Sequence, residues 1–113
     1  MHELSITKSI LAVAERTARD RNINRIRRIN LLLGKYSGVI PEYVDNCFAL
    51  ISPGTICEGA GIAYHEQPVR IRCRSCGGEP EPEPDTFTCP LCGSGNIEIT
   101  HGFDVYVESI EAE

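Results

Sequence analysis

Between positions 73 and 92 the chain reads CRSCGGEPEPEPDTFTCPLC, two C-x2-C pairs separated by twelve residues. This spacing limits what the chain can fold into more than any other feature. Two residues between cysteines let a tight turn aim both thiolates at one ion. Twelve between the pairs let a hairpin bring the second turn opposite the first. Four thiolates can then meet Zn2+ tetrahedrally at about 2.3 Å. Gly77 and Gly93 follow the two pairs, where such a turn wants a residue free of Cβ clashes. Zinc is the metal this pattern favours; paired disulfides or an iron–sulfur cluster are the alternatives for the same residues. Cys73, Cys76, Cys89 and Cys92 would fill every position around zinc, so the site is expected to hold the segment folded rather than to catalyse.

The chain has 113 residues, which suits one small domain, or a small domain carrying a smaller metal-held one. Its charge is divided. Residues 1–72 carry ten Lys or Arg against seven Asp or Glu, whereas residues 73–113 carry one Arg against nine acids. Phosphate contacts need Lys and Arg, so the acidic half argues against nucleic-acid binding. The longest early apolar run, ILAVA, is too short for a signal sequence or a membrane span. The expectation is a cytoplasmic protein without stable membrane insertion, where six cysteines stay reduced.

Helical spacing of Ile6, Ile10, Val13, Ala14 and Thr17, with Leu4, Leu11 and Ala18 widening the stripe, predicts an amphipathic helix over 4–21, ending near DRNIN. Ile29, Leu31 and Leu33 predict a strand with one buried face, which Gly34 and Gly38 bracket at its exit. Pro41 at a helix first turn, followed by Glu42, opens a second helix whose apolar face carries Val44, Cys47, Phe48 and Ile51. GIAYHEQPVRIRC reads as a second strand with Pro68 at an edge or bulge. Residues 97–110 read as a third, broken at His101-Gly102. The predicted fold class is α+β. A small two-layer domain of two helices on a three-stranded sheet spans 1–70 and 98–113, with a zinc-ribbon-like subdomain inserted over 71–97. EPEPEP at 79–84 favours extended polyproline structure kept in water by its charge.

Catalytic signals are missing. No phosphate-binding loop occurs, and GAG at 59–61 lacks the third glycine of a dinucleotide fingerprint because Tyr64 stands there. His65 and His101 are isolated, and each reads as a surface or strand-end histidine. Cys47 reads as a buried free cysteine, and Cys57 receives no role.

The amino terminus offers different chemistry. The α-amine of Met1, the amide nitrogen of His2 and the His2 Nδ1 can form fused chelate rings, and the Glu3 amide can add another nitrogen. Tetragonal nitrogen sets suit Ni(II) or Cu(II). The first amides of a helix have no carbonyl to bond, so giving up their protons to a metal breaks no ladder hydrogen bond. His2 is bulky, so Met1 is expected to stay in place.

Three stretches in order, MHELSITKSI, LLLGKYSGV and VRIRCRSCG…FTCPLCGSGNIEI, resemble the HypA/HybF family of nickel metallochaperones for nickel–iron (NiFe) hydrogenase maturation. The resemblance covers essentially the whole chain. It implies a nickel site at Met1, His2 and Glu3, and structural zinc on Cys73, Cys76, Cys89 and Cys92. It also implies a non-enzymatic function: delivery of Ni(II), as cargo, to the hydrogenase large-subunit precursor together with the GTPase HypB. Two departures stand out. Lys35 sits where many relatives carry an acid, and no histidine lies beside the cysteines. The competing readings are a zinc-ribbon protein-interaction adaptor without nickel transfer and, less favoured by the closed thiolate set, a metalloenzyme.

Overall fold

The computed structural model describes residues 2–84 and 86–113, with the side chain of His2 outside that description. Helix α1 (His2–Asp20) leads into strand β1 (Ile26–Gly34) and helix α2 (Pro41–Ile51). Strands β2 (Gly61–Gln67), β3 (Arg70–Cys73), β4 (Ile97–His101) and β5 (Val105–Ala112) follow. One sheet has the order β2-β1-β5; the other pairs β3 with β4. β1 runs parallel to β2, with α2 as the crossover, and antiparallel to β5. Both helices share one apolar core with the three-stranded sheet, giving the expected two layers.

Helix α1 ends in a left-handed residue, Asn22, at φ 55°. The Ile23 amide reaches back to the Ala18 carbonyl at 2.8 Å and the Asn22 amide to the Arg19 carbonyl at 3.3 Å, the Schellman pattern that absorbs orphan carbonyls. The buried stripe of α1 is Thr7, Ile10, Ala14 and Ala18. It keeps the expected Ile10, Ala14 and Ala18, with Ile6 and Leu11 packed against the core, but Val13 is exposed and Thr7 is fully buried. The reason is packing. Small Ala14 and Ala18 let the helix lie close on the sheet, and the Thr7 hydroxyl is satisfied by the Glu3 carbonyl one turn back.

Helix α2 has Pro41 in its first turn and buries Val44 and Phe48, as the pattern predicts, while Cys47 is only half-buried. The Tyr64 hydroxyl on β2 lies 2.7 Å from an Asp45 carboxylate oxygen and 3.1 Å from the Pro41 carbonyl, fastening the helix to the strand. Burial pushes this hydroxyl's pKa up, and the Asp45 hydrogen bond adds to it.

The expected strand over 61–73 is two strands in two sheets. Pro68 has no N–H to donate, so the ladder stops at Gln67 and the chain turns away to begin β3. The expected third strand divides likewise between His101 and Val105. The second sheet therefore begins at Arg70 and ends at His101, on either side of the 71–97 expected for the inserted part.

The two crossings between sheets meet at a buried amide. Gln67 is 5% exposed. Its Oε1 accepts the amides of Gly102 at 3.0 Å and Asp104 at 3.1 Å, and its Nε2 donates to the Asp104 carboxylate at 2.8 Å. Beside it the backbone of Gly34 lies against Gly102: the Gly34 amide bonds Asp104 O, and the Tyr36 amide bonds Gly102 O, both at 2.8 Å. A Cβ at Gly34 would overlap the Gly102 carbonyl.

Two outcomes are expected. Gly34→Ala forces backbone apart and should cost about 1–3 kcal/mol, lowering the melting temperature by on the order of 10 °C. Gly61→Ala, where an added Cβ meets nothing within 4 Å among the described residues, is the control and should melt as the parent does. Gln67→Leu leaves the buried Gly102 amide and the part-buried Asp104 amide without their acceptor and should cost about 2 kcal/mol, read by urea denaturation.

Candidate metal centre

The four-cysteine site is made by two near-identical turns. In the first, the Gly77 amide bonds the Cys73 carbonyl at 2.9 Å and the Cys73 amide bonds the Gly78 carbonyl at 2.9 Å. In the second, the Gly93 amide bonds the Cys89 carbonyl at 2.7 Å and the Cys89 amide bonds the Ser94 carbonyl at 2.8 Å. Gly77 and Gly93 take φ of 73° and 76°, the left-handed conformation that a Cβ disfavours. Ser75 and Ser94 hydroxyls lie 2.8 Å apart and join the turns. Below them the strands β3 and β4 hold the turns in register, with Cys73 paired to Ile97.

All four Sγ atoms lie within 4.8 Å of one another. Cys73 to Cys92 is 3.6 Å and Cys76 to Cys89 is 3.8 Å. Sulfur atoms at the corners of a tetrahedron with bonds of about 2.3 Å stand about 3.8 Å apart, so the set has the dimensions of a tetrahedral thiolate site. Cys73 and Cys89 are buried, while Cys76 and Cys92 face outward. The Cys76 amide, 3.4 Å from Cys73 Sγ, leads the effects that lower the Cys73 thiol to about 6 against the opposing cost of burial. Against the lowering backbone hydrogen bond of Ser94, the neighbouring Cys92 thiol is pushed the other way, up to about 12, chiefly by its contact with Cys73, so the two share the effect.

The remaining sequence-predicted residues lie elsewhere. Glu3 is in the first turn of α1 and half-buried. Met1 and the His2 imidazole lie outside the described residues. Cys57, fully buried in the core, has its thiol pushed up to about 11 by desolvation and then by the Glu15 charge, so it is an inert packing group. His65 Nε2 is 3.3 Å from the Asn30 amide oxygen, and His101 Nδ1 is 3.1 Å from the Thr100 hydroxyl. Neither joins the cysteines. Among the described residues no helix is long and apolar enough to cross a membrane.

A model of the family described as hydrogenase/urease nickel incorporation, metallochaperone, HypA, matches residues 1–112. The chain belongs to the HypA family. It is 39% identical to the hydrogenase maturation factor HypA of Moorella thermoacetica over the full length of both chains. Against the HypA of Dehalococcoides mccartyi it is 36% identical, over all of this chain and 95% of the relative. Its fold matches the solution structure of the Ni metallochaperone HypA from Helicobacter pylori with TM-score 0.75 at 24% identity, covering 97% of this chain and 96% of that one. A second HypA solution structure gives TM-score 0.78 at 25% identity, over 100% and 97%. The family is thus one of nickel-incorporation metallochaperones and hydrogenase maturation factors.

Missing from the sequence reading were Gln67, Gly102 and Asp104, which set how the cysteine sheet leaves the first sheet. Pro68 and the His101-Gly102 break marked the places but not the buried amide that joins them.

Because thiols must lose protons to bind metal, retention should fall as pH falls, and metal release and loss of the turns should coincide. Chelation, or Cys89→Ala, is expected to collapse the amide NMR signals of 73–78 and 89–94 while those of α1 persist.

Proposed function

We propose that this protein is a nickel carrier: it binds Ni(II) as cargo at its amino terminus and delivers it to the large-subunit precursor of a nickel–iron hydrogenase. The single observation that carries this reading is the full-length match to a nickel-incorporation family in a chain that starts Met1-His2-Glu3. The α-amine of Met1, the amides of His2 and Glu3 and the His2 imidazole form the ligand set. Helix α1 starting at His2 supports it, since the first amides of a helix have no upstream carbonyl and can turn to a metal at no cost in helix hydrogen bonds. Nitrogen donors of this kind suit Ni(II) in a tetragonal site.

Cys73, Cys76, Cys89 and Cys92 hold structural zinc in this proposal. The spacing of the sulfur atoms and the turn glycines support it, and the borderline-soft ion with four thiolates leaves no open position for chemistry. The protein is accordingly not an enzyme, and it works in the cytoplasm, where unpaired thiols persist. No phosphate-binding loop is present in the sequence, so nucleotide-driven steps fall to a partner, the GTPase HypB.

The test separates the two metals. His2→Ala, or a short peptide extension that removes the free amine at Met1, should abolish stoichiometric Ni(II) binding in isothermal titration while zinc content by atomic absorption stays at one per chain. Full nickel binding by both variants would reject the amino-terminal site.

A further inference from the structure

The acidic proline-rich segment has no part in either proposed metal site, yet it forms one wall of a groove beside the β3–β4 sheet. Glu79, Glu81 and Glu83 are exposed, while Pro80 and Pro82 between them are half-buried toward the β3–β4 sheet. Proline at every second position removes the N–H groups a third strand would need. The segment therefore runs beside the sheet without pairing to it, the sheet having two strands, β3 and β4, among the described residues. The space left between them is about 560 Å³, within the range of about 300–1,000 Å³ usual for ligand sites. Ile71, Ile97 and Ile99 supply an apolar floor, and Phe87, 60% exposed, stands at the side.

The charge around this groove is one-sided. Glu66 joins the three glutamates of the segment, against Lys35 and Arg70 as the lining cations. The other basic residues of the ribbon, Arg72 and Arg74, are not in the groove lining; they share the single carboxylate of Glu98 at 2.8 and 3.2 Å. Arg72 follows Ile71 in an extended strand and so points to the opposite face.

We propose that the groove between Glu79–Pro84 and the β3–β4 sheet is a docking site for an extended, cationic segment of a partner protein, with apolar side chains seated on Ile71, Ile97 and Ile99 and Lys or Arg side chains on the glutamate wall. Nucleic acid is disfavoured because its phosphates would face the same carboxylates. A second copy of this chain fits poorly. Its own Arg25, Arg27 and Arg28 are engaged by Glu113 and Glu111, and Arg16 and Arg19 sit on a helix rather than an extended segment.

The proposal is tested with zinc-loaded, 15N-labelled full-length protein and two capped probe peptides, one alternating lysine and leucine and one alternating glutamate and leucine. The lysine peptide should move the amide signals of Ile71, Ile97, Ile99 and Phe87, and the glutamate peptide should not. The E79Q/E81Q/E83Q variant, with zinc content unchanged, should bind the lysine peptide roughly tenfold more weakly, and raising salt from about 50 to about 300 mM should weaken binding to the parent as well. Equal response to both peptides, undiminished binding by the triple variant, or shifts scattered over the acidic strand β5 would overturn it. So would a concentration-dependent dimer in sedimentation that the triple variant abolishes, because the groove would then belong to a second copy.

Discussion

One carboxamide sets the relation between the two sheets. Gln67 ends β2 inside the protein, where its oxygen receives the amides of Gly102 and Asp104 and its nitrogen binds the Asp104 carboxylate. The chain leaves the first sheet just after Gln67 and returns to it just after Gly102. Without that amide, the two crossing segments would bring buried donors together with nothing to receive them, and burying such groups unpaired is costly. Leaving and returning strands are instead clasped at one point. The adjacent glycines, Gly34 and Gly102, allow the backbones to approach closely enough for the clasp to close. Tyr36 and Phe103, with ring centroids 6.0 Å apart, cover it from the side. The longest dimension of the molecule, 54 Å, follows from carrying a second sheet beyond the first.

The cysteine site was legible because its chemistry is local. Two C-x2-C pairs, each followed by glycine, encode the turns and the clustering of the four sulfur atoms at once, and Gly77 and Gly93 adopt the left-handed conformation the spacing calls for. The helices were legible from periodicity and from Pro41. The core face of α1 was legible through Ile10, Ala14 and Ala18, but the burial of Thr7 was not: it is polar by type, and its hydroxyl is satisfied by the Glu3 carbonyl. Nor was the division of 61–73 into strands of two sheets. Pro68 signals a break in either case, and which sheet receives the next strand is decided by contacts some thirty residues away in sequence, such as Arg70 with His101. The amino-terminal triplet is a different matter. Its meaning came from resemblance across the whole chain, since a histidine at position 2 says little alone.

The two proposed metal sites make opposite demands on the fold. A structural ion wants donors fixed before it arrives, and the paired turns and the strand register beneath them supply that. A cargo ion must be given up again. Amides at the start of a helix have no upstream carbonyl to bond, so they can be given to the ion and taken back without a change in the helix ladder. Placing one set in a clasped sheet and the other at the first residues of α1 separates retention from release.

The pairing of β1 with β5 joins residues about eighty positions apart, Ile26 with Ala112 at its far end. Closing so long a loop costs chain entropy and slows folding. The cysteine turns lie inside that loop and close over only twenty residues, from Cys73 to Cys92. Once β3 and β4 pair, Arg70 and His101 are neighbours, and most of the intervening chain no longer counts toward the distance β5 must search. A ribbon closed early by the metal proposed for its four cysteines would thereby deliver the last strand of the first sheet to β1 over a much shorter effective loop.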